Sequence, residues 1–172
     1  KITMRKIKFI IVLFIAASTL LVSCKKSDVV SSSKLASGKC KVTATVGGEG
    51  YSSSDIVSIV AKSASIINIA SGTASLPVKQ FVFLLPANIK IGTYNFETDD
   101  DGVVGIMNTA YTKTDGSTTS GFAASNDRDN KFVLVITKAT ATELEGTFSG
   151  TLYNEDSGTT TSVTNGKLAA KY

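Results

Sequence analysis

Cys24, Cys40 and two clusters of carboxylates are the side chains of this 172-residue chain whose types could do chemistry. The chain contains no His, which removes Ser-His-Asp and Cys-His catalysis, imidazole ligation of zinc and the usual pH switch near neutrality. A metal site would have to be built from oxygen, and calcium takes roughly six to eight such ligands. Asp99 and Asp101, within Asp99-Asp100-Asp101-Gly102, and Asp127 and Asp129, within Asn126-Asp127-Arg128-Asp129-Asn130, are the calcium candidates. The same residue types are what β-turns demand, and neither cluster has the spacing of an EF-hand loop. No resident metal or cofactor is expected. Asp101 with Asp127 or Asp129 is the pair a glycan hydrolase would use as general acid and base. Nothing in their spacing brings them together across a cleft, so no catalytic residue is assigned and the chain is not expected to be an enzyme.

The two cysteines differ in what surrounds them. Arg5, Lys6 and Lys8 form a positive stretch, Phe9 to Ala17 is uninterrupted and apolar, and Ser18-Thr19 loosens the pattern before Leu20-Leu21-Val22. That layout is a secretory signal peptide, with Met4 read as the initiator. The apolar stretch from Phe9 to Val22 covers fourteen residues, short of the roughly twenty needed to cross hydrocarbon. A plain signal peptide would end in small residues of the Ala-x-Ala kind. Leu21-Val22-Ser23-Cys24 stands there instead and resembles the lipobox of bacterial lipoproteins. The resemblance implies that the Cys24 thiol receives a diacylglycerol, that the chain is cut before Cys24, and that the new amine is acylated. Each buried methylene is worth about 0.8 kcal/mol, so one acyl chain binds marginally and two or more hold a protein stably on a membrane.

Lipidation of Cys24 leaves Cys40 without a disulfide partner. Cys40 alternates with Val42, Ala44 and Val46, the setting of a small buried hydrophobe. The signal also accounts for the net charge of +4: four of the eighteen basic residues and no acids precede Ser23, leaving as many bases as the fourteen acids of the remainder. A neutral mature chain has no basic footprint for phosphate, so nucleic acid is not a partner.

The elements that must carry any site are strands. Residues 1–23 read as the signal, with its helix, and 24–38 as the lipidated Cys and a Ser-rich flexible tether. Residues 39–172 read as one all-β domain. Runs rich in Val, Ile, Thr and Phe recur between Gly, Asn, Asp and Ser clusters. Lys39 to Val46 alternates, and Gly47-Gly48-Glu49-Gly50 turns the chain. Asp55 to Ala61 reads either as a strand of a hairpin or as a short helix capped by Ser54. Val78 to Leu85 is apolar on both faces and belongs in the middle of a sheet. Lys113 to Thr119 reads as a polar loop. Leu144, Gly146, Phe148, Gly150 and Leu152 share one face of a strand. Beyond the Asp156-Ser157-Gly158 turn, Val163 has one parity while Leu168, Ala170 and Tyr172 have the other, which requires a bulge at Asn165-Gly166. About nine or ten antiparallel strands result, in a meander sandwich or a lipocalin-like barrel.

Gly92-Thr93-Tyr94, Ala110-x-Thr112, Gly146-Thr147-Phe148-Ser149-Gly150 and Val163-Thr164-Asn165-Gly166-Lys167, together with the lipobox, resemble the small all-β lipoproteins of Bacteroidetes. The resemblance covers nearly all of the mature chain, with Leu168 and Tyr51 standing where aromatic and Trp residues are usual. It implies a location and a fold, and no activity. Acidic residues after the lipidated Cys accompany surface export in such bacteria. Here Lys25-Lys26-Ser27-Asp28 follows, which favours the periplasmic face of the outer membrane over the cell surface. The expected function is that of a lipid-anchored envelope protein with a non-catalytic binding or structural role, its partner an envelope protein or a glycan. Tyr51, Tyr94, Tyr111 and Tyr153 are the aromatics that would stack on a sugar if exposed, and sheet positions suit them equally. The alternatives are a lipocalin-like carrier of a small hydrophobic ligand, with Ala44, Gly146, Gly150 and Ala170 leaving room inside, and, last, a carboxylate-based hydrolase.

Overall fold

The computed structural model describes residues 30–96, 108–125 and 131–172. The protein is all-β: eleven strands among the described residues form one antiparallel sheet curled into a half-barrel. They are β1 (Lys39–Val46), β2 (Glu49–Ser52), β3 (Ile59–Lys62), β4 (Ile66–Gly72), β5 (Val78–Pro86), β6 (Gly92–Asn95), β7 (Asn108–Asp115), β8 (Thr118–Ser125), β9 (Phe132–Ala139), β10 (Glu143–Tyr153) and β11 (Thr160–Lys171). Leu21, Val22, Ser23 and Cys24 lie outside the described residues, as do Asp99, Asp101, Asp127 and Asp129.

The sheet runs β2-β1-β11-β10-β8-β7-β5-β4-β3, with β9 and β6 branching from β10. Alternating side chains sort each strand into an inner and an outer face. Cys40, Val42, Ala44 and Val46 of β1 point inward, as do Phe81, Phe83 and Leu85 of β5 and Phe132, Leu134 and Ile136 of β9. β5 is paired on both sides, by β4 and β7, as its two apolar faces require.

One strand, β2, exceeds expectation and two others, β7 and β8, are longer than expected, because turn-rich composition hid them. Gly47 and Gly48, at φ +55° and +86°, make a two-residue turn that only positive-φ residues fit easily. Glu49 and Gly50 therefore already belong to β2. The polar stretch from Lys113 to Thr119 is likewise the tip of the β7–β8 hairpin, with Asp115 paired to Thr118. Both expectations for Asp55 to Ala61 hold in part. Asp55–Val57 is a single 3-10 turn whose Ser54 side chain accepts from the Ile56 N–H, and β3 starts at Ile59.

The bulge sits where parity demanded it. Thr43 pairs with Lys167 but Thr45 with Thr164, and Phe148 pairs with Gly166 but Gly150 with Val163. The extra residue is therefore on β11 in both ladders. Asn165 adopts φ +54° there, a left-handed conformation that Asn tolerates better than branched residues. Val163 and Leu168, of opposite parity in the sequence, both point inward as a result.

The margins of the sheet meet along a seam. Gly38 O accepts from Val60 N–H at 2.9 Å and Gly72 O from Ser54 N–H at 2.8 Å. The Ser53 hydroxyl accepts from Val42 N–H at 2.9 Å, and the Cys40 thiol donates to Ala70 O at 3.4 Å. β1 and the segment that follows β2 are thereby laced to the β3–β4 margin, engaging backbone groups that an open edge would expose.

Candidate functional site

Few of the residues singled out by type are placed where chemistry needs them. Among the described residues no group of three His, Cys, Asp or Glu side chains is arranged to hold a metal, and the calcium candidates Asp99, Asp101, Asp127 and Asp129 are outside that set. Cys40 is fully buried in the seam, and burial pushes its thiol up to about 11, far from the thiolate a nucleophile needs. Tyr51 and Tyr111 are interior, each 4% exposed, so the four tyrosines do not form an exposed row. The Tyr51 hydroxyl is 2.8 Å from the Ser71 Oγ, and Ser71 donates onward to Phe81 O at 3.3 Å. Tyr94 hydrogen-bonds both backbone groups of Lys90.

The interior is filled by rings. Phe81 has Tyr51, Phe83, Tyr111 and Phe148 at centroid distances of 5.0, 5.8, 4.9 and 5.5 Å. Phe148 also meets Phe83 at 5.1 Å and Phe132 at 6.0 Å. The inward glycines leave no room beside them. A Cβ on Gly146 would come within 2.6 Å of Val135 O, and one on Gly166 would strike the Phe148 ring and carbonyl. These glycines are where neighbouring strands approach one another, the role strand glycines play at bends.

Ionisable groups gather at two places instead. At one end of the barrel Lys79 and Lys113 stand side by side on β5 and β7, with the parity of Phe81 and Tyr111. Glu49 reaches across from β2 to both, at 2.8 and 2.9 Å. The hydrogen bonds from Lys79 and then Lys113 hold its carboxyl down at about 2. Tyr111 lies beneath; its own burial, and then the Glu49 charge, push its hydroxyl up to about 12.

The second place is on the outer face, where Glu143 and Glu145 of β10 meet Lys138 of β9. Lys138 pairs with Glu143 at 2.5 Å and lies 3.7 Å from Glu145. Glu145 Oε1 also accepts from the Ser32 N–H at 2.7 Å, the Ser32 hydroxyl at 2.6 Å and the Ser31 hydroxyl at 3.3 Å. Burial raises this carboxyl, but the Ser32 side-chain and backbone hydrogen bonds outweigh it and the net direction is downward. Ser32 is fully buried and opens a 3-10 turn, Ser32–Lys34. Of the stretch expected to be tether, residues 30–38 are described, and this part is fastened to the barrel. Gly38 closes the fastening, its N–H donating to Lys171 O at 2.7 Å. Sequence reasoning missed this clamp because an outward-facing Glu on a strand carries no sign of a partner 113 positions away.

Further along the same outer face, Val133, Val135, Thr147, Ser149, Asn165 and Lys167 line a shallow groove of about 350 Å³. It has an apolar floor from β9 and polar walls from β10 and β11, and it lies where the β11 bulge bends the sheet. Mixed walls over an apolar floor are the usual make-up of a small binding site.

The chain matches no known family model, and no similar curated protein or solved structure was found.

Proposed function

We propose that this chain is a lipid-anchored cell-envelope protein, held by Cys24 on the periplasmic face of the outer membrane, with a non-catalytic binding or structural role. The observation that carries the reading is the ring-packed interior, with Phe81 inside four other aromatics. A carrier of a hydrophobic ligand would need that volume. A hydrolase would need two free carboxylates converging on one space, whereas Glu49 is held by Lys79 and Lys113 at one end and the neighbouring Glu143 and Glu145 are held by Lys138 and Ser32. Any partner then meets the outer surface, and the groove between Val133 and Lys167 is the part shaped to receive one. The segment ending in Leu21-Val22-Ser23-Cys24 supports the anchor.

Cys24→Ala should move the protein from the detergent phase to the aqueous phase in a cloud-point partition of envelope extracts. Retention of the variant in the detergent phase would overturn the anchor. For the binding role, pull-down with the wild type and with Val135→Lys should differ, the variant losing its envelope protein or glycan. Identical recoveries would overturn the groove as the contact surface.

A further inference from the structure

The two ends of the barrel are unlike. One carries the Glu49–Lys79–Lys113 cluster. The other is where the chain enters β1, and three independent features converge on it.

The first is the fastening itself. Ser32 on Glu145 and Gly38 on Lys171 bind the chain to this end, so the path from Cys24 to a fixed point is eight residues. Eight residues of chain cover at most about 28 Å fully extended and about 16 Å as a coil. From Glu145 to Tyr153 β10 runs roughly 27 Å, so a tether of coil length keeps its lipid nearer the entry end than the Glu49 end.

The second is apolar. Ile56 and Ile59 are 84% and 63% exposed. Both sit on the seam beside the chain's entry: Lys39 Nζ reaches Asp55 O at 3.1 Å, and Val60 N–H bonds Gly38 O at 2.9 Å.

The third is charge. Lys34, Lys39, Lys62 and Lys171 surround the same end, Lys62 resting 4.4 Å from the centre of the Tyr172 ring. Of the acids there, Glu145 is held by Ser32 and Glu143 by Lys138 with Lys171 directly across the strand pair, and Asp55 stands beside Ile56, so with Lys138 the lysines outnumber the acids. Exposed aliphatic side chains flanked by lysines are what an anionic lipid interface accepts.

We infer that the β1-entry end of the barrel, with Ile56 and Ile59 among Lys34, Lys39, Lys62 and Lys171, is a membrane-facing surface that seats the domain on anionic headgroups. The inference rests on the anchoring of Cys24 and adds to it a fixed orientation: the lipid does not merely retain the domain, it presses this end to the bilayer and turns the Glu49 end outward.

The test uses the lipidated chain in nanodiscs of phosphatidylethanolamine and phosphatidylglycerol that contain a headgroup-linked gadolinium chelate. Amide signals of residues 32–41 and 56–62 should broaden more than those of residues 47–50 and 114–118. Ile56→Ser with Ile59→Ser should shrink the contrast to the part that the eight-residue tether alone imposes, and Lys39→Gln and Lys62→Gln should each lower the seated population about fivefold. A contrast unchanged in the Ile variant would overturn the inference. Equal broadening at both ends, or greater broadening at the Glu49 end, would overturn the inference while leaving the anchor intact. Ile56 and Ile59 signals that shift with protein concentration in disc-free detergent would assign the patch to a second copy of the chain, which also overturns it. If the wild type fails to co-purify with the discs and its N-terminal peptide lacks the acyl mass, the anchor and the inference fall together.

Discussion

Truncating Phe81 separates a packed barrel from a vessel. The ring is fully buried, and four rings surround it at centroid distances from 4.9 to 5.8 Å. Removing a buried Phe ring costs about 3–5 kcal/mol, from lost transfer energy and from the cavity left behind. The loss here belongs toward the upper half, because the neighbours cannot close in. Tyr51 is tied to Ser71, Phe83 is on the same strand, and Phe148 is seated against the backbone of Gly166. Aromatic pairs also contribute about 0.5–1.5 kcal/mol beyond area burial. Phe81→Ala should therefore lower stability by about 4 kcal/mol, against a total of about 5–15 for a domain, and Tm by roughly 8–16 °C.

The assay is a urea titration followed by far-UV circular dichroism, since the chain has no Trp to report. A parallel measurement asks whether benzene or a similar small apolar probe binds. The wild type should not bind it, whereas the variant should, because apolar cavities in protein cores stay dry and accept such molecules. A loss below about 1 kcal/mol, well under the range for ring truncation, or probe uptake by the wild type, would refute the packed interior and restore the carrier.

Glu145→Ala should raise the exchange rate of the Ser32 amide roughly 10- to 100-fold, since it removes charge-assisted hydrogen bonds worth about 1.5–3 kcal/mol; unchanged exchange would mean the 3-10 turn holds itself. Gly166→Ala should cost about 3 kcal/mol or more through overpacking against Phe148, while Gly116→Ala, facing open space at φ +59°, should cost about 1 kcal/mol; equal losses would refute the close approach of β10 and β11. Glu49, held at about 2, and Glu143 and Glu145, also shifted downward, have lower values folded than unfolded. Their contribution should be complete above the ordinary carboxylate range near pH 4.5 and fade as pH falls from there toward 2. The urea midpoint should drop across that window, less steeply in Glu49→Gln, and a midpoint that rises there would contradict the ion cluster.

Much of the fold was legible because it rests on period-two patterning. Leu144, Phe148 and Leu152 share a face in the sequence and in the barrel, and the parity conflict between Val163 and Leu168 is resolved by the bulge at Asn165. What stayed hidden depends on pairing across distance. Glu49 looks like part of a turn, and only the return of β2 over β5 and β7 brings it to Lys79 and Lys113. Ser31 and Ser32 look like linker, and only Glu145 makes them part of the domain. Tyr51 and Tyr111 were open to both an exposed and a structural role. Curling decides it, because a strand position that would be surface on a flat sheet becomes interior on a curled one.

The inward glycines show how the same residues argue for opposite functions until their neighbours are known. Small side chains on an inner face suggest space for a ligand. In this sheet the space beside Gly146, Gly150 and Gly166 is taken by backbone of β9 and β10 and by the Phe148 ring, and their smallness is spent on curvature. Gly150, at φ +140°, lies near the point where β10 passes from β9 to β8. Gly166 lets β11 bulge against Phe148, which brings Phe148 among Phe81, Phe83 and Phe132. A half-barrel curled by this device fills its own interior. The bend that tightens the inner face also opens the outer one, where Asn165 and Lys167 rise beside Val133 and Val135. The groove therefore lies on the convex surface, along the same strand that holds Ser32.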